Sequence, residues 1–511
     1  MKCKLVLTVI MLSLWIFIRA ISINPTIKVD HPYILTNEKQ TIYILVQFQI
    51  PEIEENLNNP RPKLNLGLVL DRSGSMSGKG KLDYAKKASN ILINTLKPSD
   101  RIAVVEYDEL ITVIWPSSPV ESPEMIKACI NNLSPRGSTN LTGGMMKGAD
   151  EIQKYISKDF INRVILLSDG LANEGVTNPI EIKRLVKEAK NKGIHISTMG
   201  LGLDYDEDLM QAISENGGGN YYFIESPNQM VRIFQEEMSI LFTTVAKDIN
   251  INFIAKNEVK KIEVFGFTSD TNGRQTTIEQ EDFYSGENRT LLIRLEIEPK
   301  KTGTLNLGKF QMNYIDVKNK SKKTFDKTIS VIATSNLLEV TGKQNKDVIV
   351  EATLIEADKK HEDYIRMYEK GDKKIALENI KDLENKLTIQ NEVFSDVIIS
   401  KKIEALKMET QEMKEAEENS FARLTYLKSN KQRLYKSKKG KRGQYILQEG
   451  NSGIEVEKLQ TALKNKGFYS GLIDGKFTEN VKEAVINFQK NENLTPDGVV
   501  GPLTLKALGI Y

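Results

Sequence analysis

The sequence predicts a multidomain chain whose largest unit is an α/β domain with a doubly wound parallel sheet. Three observations predict this. The 511 residues exceed what one ordinary core accommodates. Over residues 64–245, short apolar runs alternate with helical patterns, the signature of a parallel sheet covered on both faces. Beyond residue 248 the pattern changes twice, first to strands separated by turns and then to helical spacing, so further units follow.

Residues 1–20 read as an export signal. Lys2 and Lys4 provide a positive start, Leu5 to Ile18 is an apolar run, and Ala20 suits a cleavage site. The alternative is an uncleaved anchor, but the run falls short of the about 20 apolar residues a span needs. No later segment suits a membrane span. Cleavage removes Lys2, Lys4 and Arg19 and no acid, which takes the formal net charge from +3 to zero and argues against a nucleic-acid partner. Cys3 leaves with the signal. Cys129 alone cannot make an internal disulfide, and the apolar-periodic segment from Met125 to Leu133 predicts a buried, inert thiol.

Residues 25–63 form a β lead-in, with Thr41 to Ile50 rich in β-branched and aromatic residues and Pro51 ending the run. Within 64–245, the segments Leu64–Leu70, Ile102–Tyr107, Arg163–Leu167, Ile194–Met199 and Tyr221–Ile224 are buried-strand candidates. One helix places Leu82, Ala85, Ile91, Leu92 and Leu96 on a common face, and another runs from Pro179 to a stop at Gly193. Residues 248–335 read as a small antiparallel β-sandwich, with strands at Ile262–Phe267, Thr290–Ile297 and Thr328–Ile332. Residues 343–440 read as a helical spacer with a basic linker. Between Lys343 and Lys439 there is no proline and one glycine, Gly371, while Ile380, Leu383 and Leu387, or Phe421 and Leu424, recur at helical spacing. Tyr368 to Ile380 has the look of half a tetratricopeptide repeat, with no array after it. The tract from Lys428 to Arg442 is basic and lacks acids. It reads as a solvated linker or, alternatively, as an attraction for anionic surface polymers.

The chemistry concentrates in three pieces. Asp71-Arg-Ser73-Gly-Ser75 follows the first buried strand, Gly137-Ser-Thr139 opens a helix, and Asp169-Gly170 ends another buried strand. Ligand sites of an open α/β sheet gather at the carboxyl ends of its strands. A carboxylate with hydroxyls at alternate positions on a tight turn offers hard oxygen ligands of the kind Mg2+ takes. These residues resemble the metal-ion-dependent adhesion site of the von Willebrand factor A family, over about residues 64–245. The resemblance implies hydroxyl ligands from Ser73, Ser75 and Thr139, with Asp71 and Asp169 acting directly or through water. It also implies Mg2+, with Mn2+ or Ca2+ as alternatives, and an open coordination position for a carboxylate of a protein ligand. Thr142 is a competing hydroxyl that could instead cap or line the helix, and motif position favours Thr139. The lead-in and the sandwich also resemble bacterial relatives of inter-alpha-trypsin-inhibitor heavy chains.

Other chemistries are poorly served. Gly74 to Gly80 lacks the spacing of a phosphate loop, and Gly200-Leu-Gly202 does not complete a dinucleotide fingerprint. His31, His195 and His361 are far apart, which argues against a zinc hydrolase or a Cys/His protease.

Residues 443–511 make a compact end unit of three helices. Its apolar positions include Val456, Leu459, Leu463, Ala484, Val485 and Phe488, and Asp474-Gly475 and Asp497-Gly498 suggest an internal half-repeat. This unit resembles the peptidoglycan-binding domain of bacterial wall hydrolases, and departs from that pattern at Thr478 and Val481. The whole chain then implies an exported, non-catalytic adhesion protein of the cell wall, periplasm or extracellular space. Its partners would be peptidoglycan and a protein that offers a carboxylate. The alternative is a wall-processing hydrolase, or an accessory or assembly factor for one.

Overall fold

The computed structural model describes residues 22–51, 61–415, 454–492 and 502–509, with isolated residues within 428–449 and 494–500. The signal segment, Phe421, Leu424, Asp497 and most of the basic tract lie outside the described residues. Among the described residues, no helix is long and apolar enough to cross a membrane.

Three strands come first: β1 (Thr26–Val29), β2 (Tyr33–Leu35) and β3 (Gln40–Gln49). The α/β domain follows, with β4 (Lys63–Asp71), β5 (Arg101–Tyr107), β6 (Ile111–Pro119), β7 (Phe160–Ser168), β8 (His195–Leu201) and β9 (Gly218–Ile224). Their order across the sheet is β6-β5-β4-β7-β8-β9, and only β6 runs antiparallel to its neighbour. The sheet is covered by α1 (Lys81–Thr95), α2 (Pro123–Asn131), α3 (Leu141–Gln153), α4 (Pro179–Asn191), α5 (Glu207–Gly217) and α6 (Met230–Phe242). Two apolar cores lie on its two faces, as doubly wound sheets require. On α1 the buried face uses Leu82, Ala85, Leu92 and Ile93, so Ile93 takes the place expected for Ile91. Cys129 is half-buried rather than buried. It lies beside the α2 stripe of Ile126 and Ile130 instead of on it.

The chain then returns to β structure in β10 (Thr244–Ala255), β11 (Val259–Phe265), β12 (Ser269–Asn272), β13 (Gln275–Glu279), β14 (Phe283–Tyr284), β15 (Asn288–Ile297), β16 (Gly303–Asp316) and β17 (Ser321–Thr334). Here the lead-in and the sandwich prove to be one unit. β3 sits between β1 and β15 in one sheet, and β2 closes the edge of the other against β17. The two sheets share a single core that includes Ile42, Ile44, Phe48, Ile251, Phe253, Leu291, Ile293, Leu295 and Phe310. The α/β domain is therefore an insertion in the sandwich, and both of its connections fasten to one turn. The N–H of Gly286 donates to the carbonyl of Pro51 at 3.3 Å, and the N–H of Ser285 to that of Thr243 at 2.8 Å.

Charges knit the two units together. Asp282, at the sandwich end, pairs with Arg163 and with Nδ1 of His195 at 3.1 Å each. Burial disfavours the charged imidazole of His195, but Asp282 and Asp248 outweigh it and raise its pKa above 6.5. All of these groups stand at the amino ends of β7 and β8, opposite the loops that carry the chemistry.

After the sandwich come α7 (Leu337–Gly342), α8 (Lys346–Glu369), α9 (Lys373–Phe394) and α10 (Val397–Glu415). The last three pack through Leu354, Ile365, Ile380, Leu383, Leu387 and Leu406. α8 also docks Val348, Ala352 and Ile355 on the outer face of the sheet at Leu45, Phe265 and Leu292. The described part of the basic tract departs from the solvated linker expected. Lys428 and Lys431 are buried. Lys428 donates to the carbonyl of Tyr205 at 3.2 Å, and Lys431 pairs with Glu369 at 2.6 Å. The end module contains α11 (Ile454–Asn465), α12 (Glu479–Asn491) and α13 (Pro502–Leu508) around Leu459, Leu463, Phe477, Val485 and Phe488.

Candidate metal-ion site

Register places the site. β4 ends at Asp71, opposite Tyr107 of β5, and β7 ends beside it at Ser168, one residue before Asp169. α3 approaches β4 closely because Gly148 faces it: a Cβ there would lie 2.4 Å from a methyl of Val69. That approach brings the loop before α3, which carries Thr139, to the same end of the sheet.

The three loops are stitched to one another through their backbones. Gly74 N–H donates to the carbonyl of Gly137 at 3.0 Å, Arg136 N–H to that of Arg72 at 2.8 Å, and Asn173 N–H to that of Thr139 at 3.2 Å. Arg72 and Arg136 both donate to Asp108, at 2.8 and 2.7 Å. Burial acts to raise the Asp108 pKa, but hydrogen bonds from Arg136, Leu110 and Arg72 hold it below the usual carboxylate range.

Four of the five expected residues are linked in a continuous run of hydrogen bonds. Asp71 Oδ1 accepts from Ser73 N–H at 2.8 Å. Ser73 Oγ and Ser75 Oγ are 3.0 Å apart, and Ser75 Oγ donates to Asp169 Oδ1 at 2.6 Å. Thr139 comes to the same place from the third loop. A Cβ on Gly170 would stand 3.5 Å from both Ser75 Oγ and Thr139 Oγ1, so those hydroxyls flank one point. Thr139 N–H donates to Asn173 Oδ1 at 2.8 Å, and among the described residues its hydroxyl makes no hydrogen bond. Thr142, the competing hydroxyl, is committed elsewhere: its Oγ1 donates to the carbonyl of Val176 at 2.7 Å.

The donor set suits a hard divalent cation. Oxygens on adjacent octahedral corners, about 2.1 Å from Mg2+, are about 3 Å apart, which is the spacing of the Ser73 and Ser75 hydroxyls. Among the described residues no group of three or more His, Cys, Asp or Glu gathers to hold a metal. The set is instead two carboxylates among hydroxyls. Both carboxylates are fully buried. Burial pushes Asp71 up to about 6 and the nearby Asp169 adds to this, while hydrogen bonds from Ser73 and Ser168 oppose it.

Sequence reasoning missed the residues that aim the ligands. Ser168 donates to Asp71 Oδ2 at 2.7 Å, and the Tyr107 hydroxyl lies 3.3 Å from the same oxygen. Asn173 holds Thr139, and Lys81 pairs with Asp169 Oδ2 at 2.6 Å. Ser168 had a legible signal, since it directly precedes Asp169 at a strand end. Lys81 and Asn173 had none, because only the folded loops bring them in.

In the end module, the half-repeat has a physical basis. Gln460 Oε1 accepts from Gly475 N–H at 2.9 Å, and Gln489 Oε1 accepts from Gly498 N–H at 2.9 Å. A shallow groove between α11 and α13 is lined by Glu457, Thr461, Asn465, Ile473 and Leu508.

Comparisons with known proteins agree with this architecture. A family profile for the von Willebrand factor type A domain matches residues 65–236, and one for a peptidoglycan binding domain matches residues 452–508. The chain is 28% identical to the uncharacterized protein YfbK of Escherichia coli over 51% of its own length and 47% of that protein. It is 26% identical to inter-alpha-trypsin inhibitor heavy chain H4 of Bos taurus over 39% of its length and 23% of that protein. It thus spans less than half the length of either relative. Among solved structures, a von Willebrand factor type A protein from Catenulispora acidiphila shares the fold with a TM-score of 0.59 at 16% identity, over 72% of this chain and 88% of that one. The ArnB paralog VWA2 from Sulfolobus acidocaldarius superposes with a TM-score of 0.54 at 15% identity, over 81% and 98%. The chain is a von Willebrand factor type A domain protein with a C-terminal peptidoglycan-binding domain, distantly related to the inter-alpha-trypsin inhibitor heavy chains.

Proposed function

We propose that this chain is an exported, non-catalytic binding protein that holds a partner protein through a divalent cation and the cell wall through its end module. The observation that carries the reading is the run of oxygens from Ser73 through Ser75 to Asp169, with Thr139 facing it from a separate loop. Asp71, Ser73, Ser75, Thr139 and Asp169 would hold Mg2+, with Mn2+ or Ca2+ as alternatives. When bound, the cation supplies an electrophilic position that a carboxylate of the partner completes. Asp71 fixes the first loop by accepting from Ser73 N–H, and Ser168 and Tyr107 fix Asp71. Two buried carboxylates do no more than neutralise a divalent ion, so an incoming acid meets no net negative charge at its open position.

A binding role rather than catalysis is supported by where the chemically active side chains are spent. His31 pairs with Asp30 at 2.7 Å, His195 with Asp282 at 3.1 Å and His361 with Glu409 at 2.8 Å, each as part of a structural contact. The end module supports an extracytoplasmic, wall-associated location.

The test uses the full chain and two fragments. The full chain and residues 443–511 should sediment with purified peptidoglycan, and residues 25–440 should not. The full chain should also retain a protein from wall extracts in Mg2+ and release it on chelation. Retention that ignores the chelator would overturn the metal reading, and a folded 443–511 fragment left in the supernatant would overturn the wall reading.

A further inference from the structure

The candidate site contains a cation of its own. Lys81 Nζ lies 2.6 Å from Asp169 Oδ2, while Ser75 Oγ occupies the other oxygen of that carboxylate. Asp169 is fully buried and the Lys81 side chain is 12% exposed, so the pair is shielded from solvent.

Local structure places Lys81 there against its own preference. It is the first residue of α1, where helix dipole and unpaired N–H groups make a positive charge unfavourable. No side chain caps this end, because the preceding residue is Gly80. Lys79 and Gly80 both adopt left-handed conformations, with φ of 52° and 69°, and this turn starts the helix beneath the ligand loops. Gly202, just past β8, stands beside the lysine: a Cβ there would lie 3.9 Å from its Cε and Nζ, an ordinary contact. The favourable contact that offsets the misplaced charge is the one with Asp169.

We infer that Lys81 is a resident counter-charge of the metal site, which sets its divalent-ion affinity by sharing Asp169 with the ion. The inference rests on the metal reading above. Charge arithmetic gives it content. Asp71 and Asp169 balance one divalent cation, and Lys81 then leaves the site with one positive charge in excess. A single carboxylate from outside restores neutrality. Lys81 thus weakens the hold on the ion alone and favours the state in which an acidic side chain of the partner is also bound. A site without this lysine would bind the ion tightly with or without a partner.

The test is calorimetric titration of Mg2+ alone into the full, chelator-treated chain, in the wild type and in Lys81→Met, Lys81→Gln and Lys81→Arg. Lys81→Met removes the competing charge and should tighten Mg2+ binding by at least about tenfold. Lys81→Arg keeps the charge and should stay within about threefold of wild type. Lys81→Gln keeps a hydrogen-bond donor toward Asp169 without the charge, and is the variant to read should Met disturb the turn. It should behave as Lys81→Met does. The melting temperature without metal should fall in both neutral variants, and the gain on adding Mg2+ should exceed that of wild type. Mg2+ binding in wild type with equal or weaker affinity in the folded neutral variants would overturn this inference alone. No binding in wild type and neutral variants alike would overturn the metal reading with it.

Discussion

The loops of the candidate site and the turns of the end module are built from the same short residues, Asp, Gly, Ser and Thr, and put them to different uses. In the end module the polar groups close on the module itself. Gln460 donates to Asp474 Oδ1 at 2.8 Å and to the carbonyl of Lys476 at 3.1 Å, and accepts from Gly475. Gln489 accepts from Gly498 and donates to Thr504 at 3.2 Å. Both glutamines act as staples for a core too small to stand on apolar contacts alone. At the candidate site, backbone bonds and the pairs of Arg72 and Arg136 with Asp108 do the stapling, and the side-chain oxygens of three loops are left to face one another. Polar turn residues therefore mark a site when oxygens from separate loops converge, and a structural turn when one side chain satisfies its neighbours.

The sharpest way to break this contrast is at the convergent loops. Thr139→Ala or Asp71→Ala should lower Mg2+ affinity at least about a hundredfold while sedimentation with peptidoglycan stays unchanged. Calorimetry showing wild-type affinity in both variants would return these loops to the structural class. The reciprocal change is Gln460→Ala, which leaves the buried N–H of Gly475 without its acceptor. It should destabilise the end module by about 2 kcal/mol, read by thermal melting of residues 443–511, with Mg2+ affinity of the full chain unaltered. An unchanged melting curve would show that the module does not depend on its staples.

The smallest effect lies at the other end of the α/β sheet. The folded pKa of His195 is raised above 6.5, so the folded state holds this proton more tightly than the unfolded chain does. Its stabilising contribution is complete below pH 6.5 and is lost as pH rises through the raised value. His195→Gln should abolish this component and flatten the fall in melting temperature as pH rises above 6.5. Mg2+ binding at the opposite end should be insensitive to the change. A wild-type pH slope in His195→Gln would place the titration on another group.

How much was legible varied with how local the cause was. The five parallel strands were readable because burial on both faces makes them continuous apolar runs. β6 was not, since an edge strand with Trp115-Pro116 and Pro119 buries few residues. β10 was also missed. Asp248, at φ 53°, breaks its register, and polar residues alternate along it. The pairing of β3 with β15 was beyond local reading, because an entire domain separates the two in sequence. In the site, Asp71, Ser73, Ser75 and Asp169 stood out at strand ends. Lys81 and Asn173 did not, because nothing in their neighbours in sequence announces a partner. Burial of Lys428 and Lys431 escaped for a similar reason: composition suggested solvent, and the acids that pair with Lys431 lie in α5 and α8.

The shared turn at residues 285–287 has a mechanical consequence. The inserted domain is anchored at Pro51 and at Thr243, side by side, and its ligand loops lie at the far end of its sheet. A load applied at those loops and resisted at the shared turn would run nearly along β4, β7 and β8. Parallel strands pulled along their length resist in shear, with all the ladder bonds strained together, whereas strands peeled from one edge yield a bond at a time. Both tethers leave from one turn, so such a load enters the sandwich at a single place, at β3 and β10 together. The insertion joins the α/β domain to the sandwich by two chain crossings set side by side, without any added cross-link.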